Sequence, residues 1–394
     1  MSQYILINRL KVQNANAISG FTYGFPAITN FLGFIQSLKI KLAKTEFNEI
    51  DISGCMVIAH EHYVHTHGDY NDRFTQTKNP GAMSFEKDKA GKNPSIIEEG
   101  RMNMTVSLLV SVEGNLADCK DHFLNWLENQ CYLHRLAGGI ILDIGAVQLF
   151  NLNEENNVHL LKRQLLPGFA LMDRSSALSE HYQHLLLEDE EVEMLDAWLD
   201  FSALKQAARP KHNLITKHLE KQVKNNLLDI QFIEAWQSHL SSIPFKSDAI
   251  PKNIENYFNQ LDQQNNKVLL EQWHNYLTPS NETPADWEFI PKPVKGYLVP
   301  IVTGYKAISK VYENNEIANT RDDKTQVCFV EAAHSVGEWR GINRFNKAED
   351  FVNAIWSYHY EENWYLCKQL SSATDDNDEI QALDVVVTEV LTDS

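Results

Sequence analysis

No single motif in this chain names a chemistry. There is no P-loop, no G-x-S-x-G and no H-E-x-x-H, and the glycine pair Gly138–Gly139 is no nucleotide fingerprint. The five cysteines, Cys55, Cys119, Cys131, Cys328 and Cys367, are odd in number and scattered, without a C-x-x-C pair. That argues against a disulfide framework and for reduced thiols in a cytosol. No stretch approaches the roughly 20 apolar residues needed to span a bilayer. The opening MSQYILINRLKVQ breaks its apolar run with Asn8, Arg9 and Lys11, so it does not read as a signal peptide. The expectation is a soluble, cytoplasmic protein with no membrane partner. No internal repeat is visible.

Charge is plentiful but uneven. A net charge of −18 argues at first against a nucleic-acid partner. The excess is regional. LLEDEEVEMLDAWLD, 186–200, holds seven acids and no base, and the tail from Asp375 to Ser394 holds another seven and no base. The remainder therefore stands at −4, which leaves room for a basic face elsewhere.

At 394 residues the chain can form a full core, as two domains or as one with a large insertion. Residues 3–13 alternate as a strand: Tyr4, Leu6, Leu10 and Val12 fall on one face, with Asn8 the polar exception, and Arg9, Lys11 and Gln13 on the other. Ile28, Phe31, Leu32, Ile35, Leu38 and Leu42 recur at helical spacing. A strand over 52–65, the strand MTVSLLVSV, a helix through DCKDHFLNWLENQCYLHRL and a strand from GGIILDIGAVQLF follow. This βαββαβ order predicts an α+β, ferredoxin-like (RRM/RAMP) domain over 1–175, with one sheet face left open as in RNA-recognition modules. The segment 66–102 is far longer than a hairpin loop and holds Arg73, Lys78, Lys87, Lys89, Lys92 and Arg101, so it reads as a projecting, thumb-like arm. Residues 176–280 read as a helical insertion and 281–370 as a mixed section completing the core. Residues 371–394 are an acidic tail.

AHEHYVHTHGDY, residues 59–70, raises the question of a metal-dependent hydrolase at His60–His67. Metal chemistry needs three or four converging ligands. On a strand, His60 and His62 share one face while His65, His67 and Asp69 share the other. Val64 also stands where an H-x-H-x-D-H pattern needs its aspartate. The expectation is no metal and no cofactor. A ribonuclease of the same fold, cutting repeat RNA with a lone His60 or His134 as general acid or base, is the other enzymatic alternative. Either residue also reads as a satisfied structural histidine.

RLKVQNANAISG followed by YGFP, then IIEEGRMNMTVSLL, HRLAGGIIL, KRQLLPGFALMDR, GYLVPIVTGY and TRDDKTQVCFVE with GEW, resemble one family in that order. It is the second Csy protein of type I-F CRISPR systems, the Cas-five-type RAMP subunit of the Csy surveillance complex. The resemblance covers about 4–175 and 295–340, and not the helical middle or the tail. It implies a non-catalytic subunit that caps the 5′ tag of the CRISPR RNA. It further implies a heterodimer with the large Csy subunit, contact with the backbone subunit, and access to target DNA through the complex.

On the matched positions, the amides of Gln13, Asn14 and Asn16 can bond both base edges and phosphates; the alternative is an amide-rich turn satisfying its own backbone. Tyr23 can stack on an unpaired base. Arg9 belongs to the open face. Arg101 closes the arm, beside Glu98 and Glu99, which can pair with it. Arg135 precedes Gly138 and Gly139, small residues that let a backbone approach a phosphate, although Gly138 also suits a helix C-cap. Arg163 and Arg321 are further phosphate candidates, with Lys162 a companion. Gln164 thins the basic run that the family carries before LLPGF.

Overall fold

The structure is a computed structural model describing residues 3–68, 73–78, 96–116, 119–262, 264–320, 322 and 324–369. Most of the arm's tip, Asp69, Arg321 and the tail 371–394 lie outside the described residues.

The fold is mixed α+β around a large antiparallel sheet, and it divides into two compact units, residues 1–202 with 294–394, and residues 203–293. In the first unit the chain runs β1 (Gln3–Asn16), α1 (Ile28–Leu42), β2 (Asp51–Val64), β3 (Arg101–Glu113), α2 (Lys120–Leu133), β4 (Gly139–Asp143) and β5 (Ala146–Asn151). β1 lies between β3 on one side and β4 with β5 on the other, and β2 flanks β3. After α3 (Glu155–Leu165) come β6 (Phe169–Asp173), α4 (Ser175–Glu188) and α5 (Met194–Ser202). The unit resumes with β7 (Leu298–Ala307), β8 (Val330–Gly341), β9 (Trp356–Glu361) and β10 (Trp364–Gln369). β2 pairs on its far edge with β9 at Cys55 and with β6 at Ile58 and Ala59. Through β10, β7 and β8 these pairings close a six-stranded ring that shares β2 with the main sheet.

The two faces of β1 are not the ones its alternation predicts. Ile5, Ile7, Leu10 and Val12 pack with Phe31, Ile35, Phe123 and Leu127 of α1 and α2. Tyr4 and Leu6 point the other way, into a second core with Val158, Leu161 and Leu165 of α3 and with Phe345 and Phe351. The expected single face of Tyr4, Leu6, Leu10 and Val12 is therefore corrected. The cause is a bulge between Ile7 and Leu10, where Arg9 takes φ 51° and one extra residue swaps the sides. The expected open sheet face is corrected as well: α3 covers its Tyr4–Leu6 half, and only the part beyond Arg9 stays open.

α4 and α5 pack through Leu178, Trp198 and Phe201 against Leu298 and Val336 of the first unit. Residues 203–293 form their own core around Trp236, Phe258, Trp273 and Tyr276, from four helices between Asn213 and Leu277. A ribbon of Gln206–Pro210 with Ala285–Phe289 completes that unit. There the Arg209 guanidinium is buried, its Nε donating to both Glu288 oxygens at 2.8 Å and its Nη2 to the Ser242 carbonyl at 2.6 Å. Among the described residues no helix is long and apolar enough to cross a membrane.

Burial holds His60, His212, His218, His239 and His334 below the ordinary histidine value of 6.5. The unfolded chain then binds more protons than the fold once pH drops below 6.5, so this part of the stability is present above 6.5 and lost as pH falls. Thermal unfolding midpoints are expected to be flat between pH 7 and 8 and to fall from pH 6.5 towards 5. A midpoint rising over that lower range would contradict the burial of these rings.

Candidate nucleic-acid interface

β1 carries a second irregularity near its end. Asn14 takes φ 55°, a left-handed conformation that asparagine tolerates better than most residues, and the β1–β3 register slips between Val12 and Ala15. Its amide N–H donates to the Asn103 side chain at 3.1 Å. The kink turns Gln13 and Asn14 towards a tight hairpin in which Arg135 pairs with Ile140 and Leu136 with Gly139. The two turn residues, Ala137 and Gly138, both have positive φ, 50° and 75°, as a primed two-residue turn requires. α2 has already ended, with His134 as its C-cap, so the alternative of Gly138 as a helix cap is set aside. Gly139 is needed for a different reason. A Cβ there would lie 2.7 Å from the Gln13 carbonyl oxygen and 2.8 Å from the Ala15 nitrogen. Only a glycine lets the hairpin close on β1, and the Asn16 N–H then donates to the Ala137 carbonyl at 2.8 Å.

The result is an open cavity of about 350 Å³ lined by Gln13, Asn14, Arg101, Arg135 and Gly138, together with His65, Thr75, Glu99 and Ile140. Arg101 reaches in from the start of β3, its Nη1 donating to the Asn14 carbonyl at 3.5 Å and its Nε to Glu99 at 3.2 Å. Arg135 Nη1 donates to the Gly138 carbonyl at 3.3 Å. Leaving the His65 imidazole uncounted, the lining has two guanidiniums and one carboxylate, a net positive basin in an acidic protein. The Arg101–Glu99 pair is partly exposed. Such pairs contribute about 0–1 kcal/mol, so a phosphate can replace the carboxylate at little cost.

Other candidates stand elsewhere. Asn16 spends its side chain on Ile18, accepting from its N–H at 3.1 Å and donating to its carbonyl at 2.8 Å, which is the self-satisfied turn. Arg9 sits at the first bulge, Nη2 donating to the Leu166 carbonyl at 3.1 Å. Arg163 is exposed on α3, outside the cavity lining, and Lys162 is tied to the Asn343 carbonyl and the Asn346 side chain, both at 2.9 Å. Tyr23 lies edge-on to Phe74, ring centroids 5.0 Å apart. Arg321 lies outside the described residues.

The histidine stretch resolves into separate roles. His60 Nδ1–H donates to the Pro167 carbonyl at 2.7 Å, and its Nε2 lies 2.7 Å from the Ser107 hydroxyl. Ser107 also bonds the Asn8 side chain at 2.9 Å and accepts from the Arg9 N–H at 2.9 Å. This network marks where α3 stops covering the sheet. Among the described residues no group of three or more His, Cys, Asp or Glu is arranged to hold a metal ion. His134 Nδ1–H donates to the Gln130 carbonyl at 2.7 Å. His65 and Thr75 were not foreseen as lining residues. His65 directly follows β2, and the Thr75 hydroxyl in the arm donates to the His65 carbonyl at 3.3 Å.

A family model for CRISPR-associated protein (Cas_Csy2) matches residues 5–237 and 246–367. The CRISPR-associated protein Csy2 of Pseudomonas aeruginosa (strain UCBPP-PA14) is 28% identical over 377 residues, 91% of this chain and 91% of that protein. The match runs through the helical middle, which the motif resemblance left uncovered.

Gly139→Val puts a branched side chain against the β1 backbone, and a loss of about 2–4 kcal/mol in urea unfolding is expected. Unchanged stability would show that the hairpin does not close on β1 as described.

Proposed function

The chain belongs to the CRISPR-associated Cas_Csy2 family, and we propose that it is the non-catalytic CRISPR RNA-binding subunit that caps the 5′ tag of the guide in a type I-F Csy complex. The observation that carries this reading is the convergence of Gln13, Asn14, Arg101, Arg135 and Gly138 on one open cavity. Guanidiniums suit phosphate oxygens, side-chain amides suit base edges, and a turn without side chains allows a close backbone approach. An unpaired strand offers all three features at once.

The strand order β2–β3–β1–β4, antiparallel throughout with two crossover helices, supports the ferredoxin-like assignment. The open half of the second face, with Lys11, Gln13, Asn103 and Thr105, runs towards the cavity and gives the backbone of the RNA a path. The occupied ring nitrogens of His60 support a structural role for that residue, because a general base needs a free lone pair facing its substrate. The partners that follow are the large Csy subunit as heterodimer mate and the backbone subunit at the arm, with target DNA reached through the complex. A net charge of −18 implies weak RNA binding by the isolated chain and much tighter binding beside a partner.

Replacing Arg101 and Arg135 together by alanine removes two phosphate partners from a partly exposed site. The affinity for tag-containing RNA at low salt is expected to fall by at least tenfold, and the salt slope to flatten by about 1–2. Thermal stability should stay within a degree or two. Affinity unchanged within error would overturn the assignment, and metal-independent cutting of repeat RNA by the wild type would overturn the non-catalytic reading.

A further inference from the structure

A second concavity, of about 560 Å³, lies where the loop after β1 faces the end of β2. Its walls are aromatic: Tyr23, Phe25, Phe169, Tyr297 and Trp339. Phe25 is braced, stacked on Phe31 at 5.5 Å and edge-on to Trp339 at 4.8 Å. Phe169 and Tyr297 stand 53% and 71% exposed at the rim. Nothing in the core requires such rings to face solvent.

The lining holds one unexplained polar atom. Ser19 is only 6% exposed, yet its hydroxyl has no hydrogen-bond partner among the described residues. A buried hydroxyl left unpaired is costly, and a ligand with a polar edge would satisfy it. His60 also lines the cleft, but both of its ring nitrogens are already engaged.

Continuity with the arginine cavity says what the ligand is. Thr75 lines that cavity, its neighbour Phe74 packs edge-on against Tyr23, and Tyr23 lines the cleft. The segment from Gln13 to Pro26 contributes to the first site at its start and to the second at its end. We propose that the cleft is a nucleobase pocket, in which a base of the RNA strand held at Arg101 and Arg135 inserts between the aromatic walls and bonds the Ser19 hydroxyl through its edge. The proposal rests on the RNA-binding reading above. A lining rich in flat aromatic rings, with a buried and unpaired hydroxyl on one of its residues, suits a planar heterocycle with polar edges. An extended peptide would instead use a row of main-chain partners.

The test uses the full chain and tag-containing RNAs in which each tag position in turn is made abasic, with affinity measured at low salt. One or two adjacent positions are expected to lose about tenfold, in line with removal of a stacked base. Ser19→Phe fills the cleft and is expected to bind intact RNA as weakly as the wild type binds the abasic one, with the position dependence erased. Val299→Trp adds bulk at another lining residue and serves if Ser19→Phe does not fold. Equal effects at every abasic position, or an unchanged profile in the filled variants, overturn the pocket while leaving the arginine site standing. Filled variants that keep the RNA profile but no longer assemble with the other subunits overturn it in favour of a peptide ligand. Absence of any salt-dependent RNA binding by the wild type removes both readings together.

Discussion

Arg9 and Asn14 hold left-handed backbone angles inside a strand paired on both of its edges, and what is built on that strand takes its direction from them. A non-glycine residue in that region costs on the order of 1–3 kcal/mol and persists only where its surroundings fix it. At Arg9 the backbone N–H is held by Ser107 and the guanidinium by the end of α3. At Asn14 the amide is held by Asn103 and the carbonyl faces Arg101. The first kink reverses the sides of the sheet, so that α1 and α2 cover one face throughout while α3 covers only half of the other. The second kink lifts the end of β1 towards the Ala137–Gly138 turn. A cavity with two arginines exists because a strand was bent twice.

The sheet's division into a sealed half and an open half explains how one surface serves two ends. Under α3 the second face is an ordinary core of Leu6, Met56, Ile58 and Leu109. Past the His60–Ser107–Asn8 network the same face turns polar. Burial lowers the proton affinity of the His60 imidazole there, and the ring is held with Nδ1–H on the Pro167 carbonyl and Nε2 beside the Ser107 hydroxyl. The Lys11–Asp143 pair on the open half is well exposed and holds geometry more than it stabilises.

Much of this was legible in the residues and some was not. The order of helices and strands followed from periodicity, and the family from ordered motifs; the family match covers both ends of the resemblance. Arg101, Arg135, Gln13, Asn14 and Gly138 were named from the sequence, and the structure brings them to one place. The bulge at Arg9 was not legible, because a single left-handed residue shifts parity without changing composition; the Asn8 exception in the alternation was its only trace. Coverage of the second face was missed for the same reason: once Tyr4 and Leu6 change sides, they need a partner, and α3 is it. Asn16 shows a limit of residue type as evidence, since an amide serves its own turn as readily as a ligand.

The most direct measurement is zero-length photocrosslinking of 4-thiouridine-labelled guide RNA in the assembled ribonucleoprotein, with crosslinked peptides mapped by mass spectrometry. The account predicts crosslinks from tag nucleotides to the segments around Gln13–Asn14, Glu99–Arg101 and Arg135–Ile140. Tag crosslinks confined to residues 203–293, or to the helix faces of α1 and α2, would contradict it.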